Sequence, residues 1–289
     1  MKSAKSVLGV SLTCLIVGAG VVHAAKDNTK AREQALKACE AKEMKACFEA
    51  ARLHWGEDGA WIVWKTAWGS FEKGVNLDKA KALAFHQKAC DSKSAPACYG
   101  LGVMHYNGWG VPKDEAKALH AYQKACDGGD AAGCYGYGQS LRQGKGGPKD
   151  EAKALVVYKK SCDANYAPGC YKHAYMYEEA IGVPKDLAKA APIYQKSCER
   201  GDSGACGKIG TLYEGGLGVA KSEAKAAQWY QTACDGRNLR GCNALAGLYQ
   251  KGAGVAKDEA KAIALYRQAC DAGFKDACPK VPGGATAAK

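Results

Sequence analysis

The sequence contains no S-D-N and no K-T-G tripeptide, no cysteine pair at metal-ligand spacing and no phosphate-binding glycine loop. Serine acyl-transfer chemistry of the S-x-x-K kind needs the first two elements around its nucleophile. Here S-x-x-K occurs at Ser70/Lys73 and Ser222/Lys225 without them. Ser222 also fills a helix-capping place, so neither pair reads as a catalytic dyad. Structural zinc sites use C-x2–4-C spacing, whereas every cysteine pair here is C-x7-C. His54, His86, His105, His120 and His173 are scattered without ligand spacing and read mostly as solvated or core-edge side chains. Glycine runs such as GKGGPKDEAK recur as chain breaks, not as phosphate cradles. No cofactor, metal ligand or catalytic residue is assigned. The apolar run Val7–Val22 is short for a membrane span, which takes about 20 residues.

What is present is a repeat. Cys98 to Gly133 reads CYGLGVMHYNGWGVPKDEAKALHAYQKACDGGDAAG, and copies begin at Cys134, Cys170, Cys206 and Cys242. Self-similarity at a fixed spacing of about 20 to 50 residues marks a solenoid, whose units bury their apolar faces only against neighbours. In each unit a first helix runs from about Cys98 to Tyr106. Four places after the cysteine stands a small residue: Gly102, Gly138, Ala174, Gly210, Ala246. It lets a second helix approach closely. His105, Leu141, Tyr177, Tyr213 and Tyr249 follow on the same face. A glycine break comes next, with Gly110, Gly146, Gly182, Gly218 and Gly254 in one register, which predicts positive φ or close backbone approach.

The second helix opens on Asp114, Asp150, Asp186, Ser222 and Asp258, all good N-caps. Tyr122, Tyr158, Tyr194, Tyr230 and Tyr266 form its inner face with small residues three places on. Lys88, Lys124, Lys160 and Lys196 lie in the last turn, where a cation complements the helix dipole.

The small-x-x-Tyr of the first helix, the G-x-G-V-x-K-D loop and the K-A-x-x-x-Y-x-K-A-C second helix resemble the Sel-one-like repeat, a relative of the tetratricopeptide repeat. The resemblance covers roughly Thr29 to Cys278. The paired cysteines narrow it to the secreted, cysteine-rich branch, the Helicobacter cysteine-rich protein type. It implies an all-α, right-handed solenoid of helical hairpins. Some relatives are described as β-lactamases or penicillin binders, so the resemblance carries a hydrolase alternative, for which no residue of this chain supplies the groups.

Lys2 and Lys5, the run Val7–Val22 and the ending Val22-His23-Ala24 read as a secretory signal peptide over residues 1–24, with a membrane anchor as the alternative. Its removal takes two lysines from 41 basic residues, leaving 39 against 29 acidic, or +10. Cys14 leaves with it. The remaining fourteen cysteines form the pairs Cys39/Cys47, Cys90/Cys98, Cys126/Cys134, Cys162/Cys170, Cys198/Cys206, Cys234/Cys242 and Cys270/Cys278. An even count, regular spacing and a signal peptide together imply seven disulfides in an oxidising compartment, secreted or periplasmic. The rival pairing within one hairpin, such as Cys98 with Cys126, strands Cys39 and Cys278 and is disfavoured by counting. Closing each short loop removes roughly 2.5 kcal/mol of unfolded-chain entropy.

Residues 25–46 read as an N-terminal capping half-repeat, 47–278 as the solenoid and 279–289 as a flexible tail. The stretch from Cys47 to Cys90 is longer than the other units and holds Trp55, Trp61, Trp64 and Trp68. These read as a seal on the solenoid end, or as a partner-gripping patch.

By analogy with tetratricopeptide-like stacks, the first helices line the concave side. That maps Tyr99, Val103, Tyr106, Asn107, Tyr135, Gln139, Gln143, Tyr171, Tyr175, Glu178, Glu179, Thr211, Glu214, Asn243 and Gln250 onto a groove. Rings beside amides and acids suit an extended peptide. The expected function is a monomeric scaffold that binds a protein, peptide or peptidoglycan fragment. The alternatives are a β-lactam-binding or β-lactam-hydrolysing protein and an intermembrane-space assembly factor. Lysines are spread along the rod beside acids, and a protein outside the cytoplasm is not expected to meet nucleic acid.

Overall fold

In the second helices, an aspartate or serine stops the chain in an extended conformation and accepts the orphan N–H three residues on. Asp114 accepts from Lys117 N at 2.9 Å, Asp150 from Lys153 N at 2.8 Å, Asp186 from Lys189 N at 2.9 Å, Ser222 from Lys225 N at 3.3 Å and Asp258 from Lys261 N at 2.9 Å. A computed structural model of the chain describes residues 79–282. Among them are eleven α-helices: α1 (Lys79–Asp91), α2 (Ala95–Asn107), α3 (Glu115–Asp127), α4 (Ala131–Gln143), α5 (Glu151–Asp163), α6 (Ala167–Glu178), α7 (Leu187–Glu199), α8 (Ser203–Gly215), α9 (Glu223–Asp235), α10 (Leu239–Lys251) and α11 (Glu259–Asp271). A 3-10 helix, Lys275–Lys280, runs past Cys278, and Val281 packs on the last core cluster. No strand occurs among the described residues. The 1–24 signal segment, the Cys39/Cys47 pair, the tryptophan-rich stretch and residues 283–289 of the tail lie outside them.

The first helices begin one turn earlier than the cysteine register suggests. Asp130, Asp202 and Asn238 cap α4, α8 and α10 by accepting from Gly133 N, Ala205 N and Gly241 N. Where α2 and α6 lack a side-chain cap, Pro96 and Pro168 occupy the first turn, where a missing N–H costs nothing.

The break between helices is a double glycine turn. Gly108, Gly144, Gly216 and Gly252 end the first helices in the left-handed region, a place that Ala180 takes with φ 55° in the third full repeat. Two residues later, Gly146 has φ 78° and lies flat on the start of the preceding second helix. A Cβ there would stand 2.0 Å from Glu115 O. Both readings of that register, positive φ and close approach, hold at once.

Each second-helix tyrosine then drops its ring onto the small residue of the first helix. A Cβ on Gly102 would meet the Tyr122 ring at 2.5 Å, and one on Gly210 the Tyr230 ring at 2.6 Å. These tyrosines are buried, and the core is alanine, tyrosine and cystine repeated along the stack. His86 fills the tyrosine register one repeat earlier and is 4% exposed; His173 is 7% exposed. Both are interior, not the solvated or core-edge side chains that their scatter suggests, and burial depresses each pKa to about 4.

Among the described residues, five disulfides join the end of one second helix to the first helix after it, Cys90–Cys98, Cys126–Cys134, Cys162–Cys170, Cys198–Cys206 and Cys234–Cys242, and a sixth, Cys270–Cys278, joins the last second helix to the 3-10 helix. The Cα atoms stand 4.3–4.9 Å apart, at the close end of the ordinary range. Side chains add inter-helix ties. Ser161 and Ser197 donate to Ala131 O and Ala167 O at 2.7 and 2.8 Å, and Lys160 donates to Cys126 O at the C-terminal end of α3 at 2.7 Å.

Candidate functional site

Successive first helices touch one another, α2 with α4, α4 with α6 and α8 with α10, while the second helices make no comparable contact. In those pairs the first helices lie nearer to one another along the stack than the second helices do. Tyr99, Tyr106, Tyr135, Gln139, Tyr171, Tyr175, Glu178 and Asn243 are half-buried on those helices. Asn107 is exposed but spends its amide on its own helix, donating to Val103 O at 2.9 Å. Val103, expected on the groove, is buried and belongs to the core.

The tyrosines stand half in the core because they lean on the second-helix rings. Tyr99 meets Tyr122 at 5.9 Å between centroids, Tyr135 meets Tyr158 at 6.1 Å, and Tyr171 meets Tyr194 edge-on at 5.4 Å. Tyr166, at the start of α6, adds an edge contact to Tyr135 at 5.6 Å. Tyr171 and Tyr175 stack at 6.4 Å, with Lys172 Nζ 5.5 Å from each ring centre. The aromatic row stops there. The same places on α8 and α10 hold Gly207, Thr211, Asn243 and Gly247.

A second row faces the second-helix hydroxyls. Tyr194 donates to Glu178 Oε2, Tyr230 to Glu214 Oε2 at 2.7 Å, and Tyr266 to Gln250 Oε1 at 3.3 Å. Burial first, then the facing carboxylate, pushes the Tyr194 and Tyr230 phenols up. Lys208 of α8 closes on Glu178 of α6 at 2.8 Å. One repeat earlier the same two places hold Arg142 and Lys172, both partly exposed. There the buried Tyr158 hydroxyl faces the Arg142 side chain. Burial and then the Arg142 charge push the Lys172 pKa down, opposed by Asp202. Asp202 itself caps α8.

Arg142, Lys172, Lys208 and Tyr166 are the site residues the sequence reading passes over. The usable signal is the 36-residue register itself: aligning position 142 with 178, 214 and 250 exposes a cation among acceptors. Ser222 caps α9, and its partner in the S-x-x-K match, Lys225, extends over the Tyr213 ring at 5.3 Å. Those two groups do not form a serine–lysine dyad. Among the described residues no group of three or more His, Cys, Asp or Glu side chains is placed to hold a metal, and no helix is long and apolar enough to cross a membrane.

Comparison with known proteins places these repeats. The model of the Sel1 repeat matches six segments, residues 68–94, 95–130, 131–166, 167–202, 203–238 and 239–274. A search of the curated proteins finds no match. Among solved structures, a protective antigen of uropathogenic Escherichia coli displaying an SLR fold aligns with a TM-score of 0.77 and 27% identity, over 89% of this chain and 53% of that one. The chain thus spans about half the length of that antigen. A Sel1 repeat protein from Oxalobacter formigenes aligns with a TM-score of 0.64 and 30% identity, over 71% of this chain and 84% of its own. Cysteine-rich protein B of Helicobacter pylori is 33% identical over 46% of this chain and 96% of its own, with a TM-score of 0.39.

Proposed function

Because this chain belongs to the Sel1 repeat family, whose stacked hairpins are scaffolds suited to protein–protein interaction, we propose that it is a monomeric scaffold of an oxidising compartment, secreted or periplasmic. Its role is to hold an extended peptide segment of a partner protein along the first-helix face. The observation that carries this reading is the half-buried row from Tyr99 to Tyr175, interleaved with Gln139 and Glu178. Rings anchored at one side in the core lose little freedom on binding, and the amides and acids between them meet backbone N–H and C=O groups. Disulfides at every described joint favour an oxidising compartment.

The test uses the oxidised full chain on a resin, challenged with a pool of random heptapeptides. Retention above blank resin is expected, with a loss of ten-fold or more in a Tyr171→Ala/Tyr175→Ala variant shown by circular dichroism to stay helical. Equal retention by the variant, or none by the natural chain, overturns the reading. Substantial turnover of a chromogenic cephalosporin by the same preparation would replace it with the hydrolase reading.

A further inference from the structure

Along α2, α4 and α6 the first-helix face carries one ring per step. Tyr99, Tyr135 and Tyr171 hold equivalent places, one repeat apart. Each is half-buried, with its inner side against Tyr122, Tyr158 or Tyr194. Tyr166 broadens the second step by its edge contact with Tyr135 at 5.6 Å, and Tyr175 broadens the third by stacking with Tyr171 at 6.4 Å. The same register passes to Gly207 on α8 and Asn243 on α10. The ladder therefore has three rungs.

Two properties of the rungs select among extended backbones. The first is spacing. α2 touches α4, and α4 touches α6; helices in contact stand about 8–10 Å apart, axis to axis. A polyproline II chain turns once in three residues and advances about 9.3 Å in that turn, so it lowers one side chain onto each rung. A β-extended chain returns to the same side after two residues, about 6.8 Å on, and falls out of step with the rungs. The second property is the sign of the hydrogen-bonding groups. α2 and α4 contain no acidic residue, and α6 has none before Glu178. Among the rings stand Gln139, Arg142, Gln143 and Lys172. Such a face offers mainly donors. A β-extended chain brings as many N–H groups as carbonyls, whereas a proline-rich chain keeps every carbonyl and loses an N–H at each proline.

Resting on the groove reading, we propose that α2, α4 and α6 hold a proline-rich segment of the partner protein in the polyproline II conformation, with proline at every third place. One proline packs on each of Tyr99, Tyr135 and Tyr171, and the carbonyls between them meet the donors. Aromatic-lined grooves take such segments cheaply, because the bound shape is already the free one. Three rungs accept about seven residues. Past the third rung the rings give way to Gly207 and Thr211, and carboxylates begin with Glu178, Glu179 and Glu214.

Fluorescence anisotropy on the oxidised full chain tests this with three acetylated, amidated heptapeptides of alanine, glutamine and proline. The first has proline at its first, fourth and seventh places, the second has alanine there, and the third has its three prolines side by side. The first binds at least ten-fold more tightly than the second and three-fold more tightly than the third. A gain-of-binding variant guards against a loss caused by misfolding. A Cβ on Gly207 stands 3.7 Å from Asn238, an ordinary contact, so Gly207→Tyr adds a fourth rung. That variant binds a decapeptide of the same period at least three-fold more tightly than the natural chain does, and the first heptapeptide as before. An unchanged decapeptide affinity overturns the rung assignment. Equal binding of the first two heptapeptides, both lost in the Tyr171→Ala/Tyr175→Ala variant, overturns the proline reading and leaves the groove standing. So does retention of random heptapeptides with no binding of the proline peptides. Failure to hold either kind overturns both readings.

Discussion

The repeat that holds Arg142 and the repeat that holds Glu214 share a backbone and differ in chemistry. In the second, the Tyr230 hydroxyl donates to Glu214 at 2.7 Å and touches Thr211 at 3.2 Å. In the first, the corresponding Tyr158 hydroxyl faces the Arg142 guanidinium. One repeat sets its phenol against an acceptor; the other sets it against a cation. A solenoid makes such differences readable, because every unit is a control for its neighbours. The departure here is a cation, Arg142, where the next three repeats place the acceptors Glu178, Glu214 and Gln250.

The largest expected effect breaks both repeats together. Reduction of the oxidised chain removes six described bridges, each worth roughly 2–3 kcal/mol in the chain-entropy account. A fall in thermal midpoint of well over 10 °C, followed by circular dichroism, is expected. A paired Cys162→Ala/Cys170→Ala variant isolates one joint and costs about 2 kcal/mol by urea denaturation.

Next in size is Gly146→Ala. The added methyl meets Glu115 O at a φ of 78°, so clash and backbone strain add, for a loss of about 2–4 kcal/mol. Gly129→Ala, which also has positive φ but nothing within reach, costs about 1 kcal/mol. The difference between the two variants measures the close approach alone.

Acid acts through the buried histidines. His86 and His173 have folded pKa values depressed by burial from 6.5 to about 4. The unfolded chain therefore takes up protons that the folded chain refuses. Their contribution is fully present above pH 6.5, falls as the pH drops from 6.5 to about 4, and is constant below that. The loss amounts to at most about 3 kcal/mol per histidine. His86→Phe should flatten that part of the pH–stability curve.

The smallest effects are the most pointed. Tyr230→Phe leaves Glu214 without its donor and costs about 1–2 kcal/mol, whereas Tyr158→Phe removes a hydroxyl that faces a cation and is neutral or slightly stabilising. Equal losses in the two variants would erase the contrast between the repeats.

Much of this architecture is legible in the sequence because the period multiplies each signal. Asp114, Asp150, Asp186, Ser222 and Asp258 announce the second helices, and the register of Gly146 announces both its dihedral and its contact. The starts of the first helices are harder to see, since Ser94, Asp130, Tyr166, Asp202 and Asn238 are of four residue types and two of them leave the work to a proline. The candidate site is legible only in part. The 36-residue register puts Tyr99, Tyr135 and Tyr171 at equivalent places on α2, α4 and α6, but does not tell how far each ring leans on Tyr122, Tyr158 or Tyr194. Arg142 and Lys172 come from different helices, and their closeness is a property of the stack, not of either helix.

Loss of the aromatic row tests the central claim most directly. Retention of the random heptapeptide pool is measured on oxidised preparations of the natural chain and of its Tyr171→Ala/Tyr175→Ala variant, matched for helicity. The account predicts at least a ten-fold loss of retention in the variant, because the stacked pair at 6.4 Å is removed from the first-helix face. Equal retention by the two proteins would contradict it.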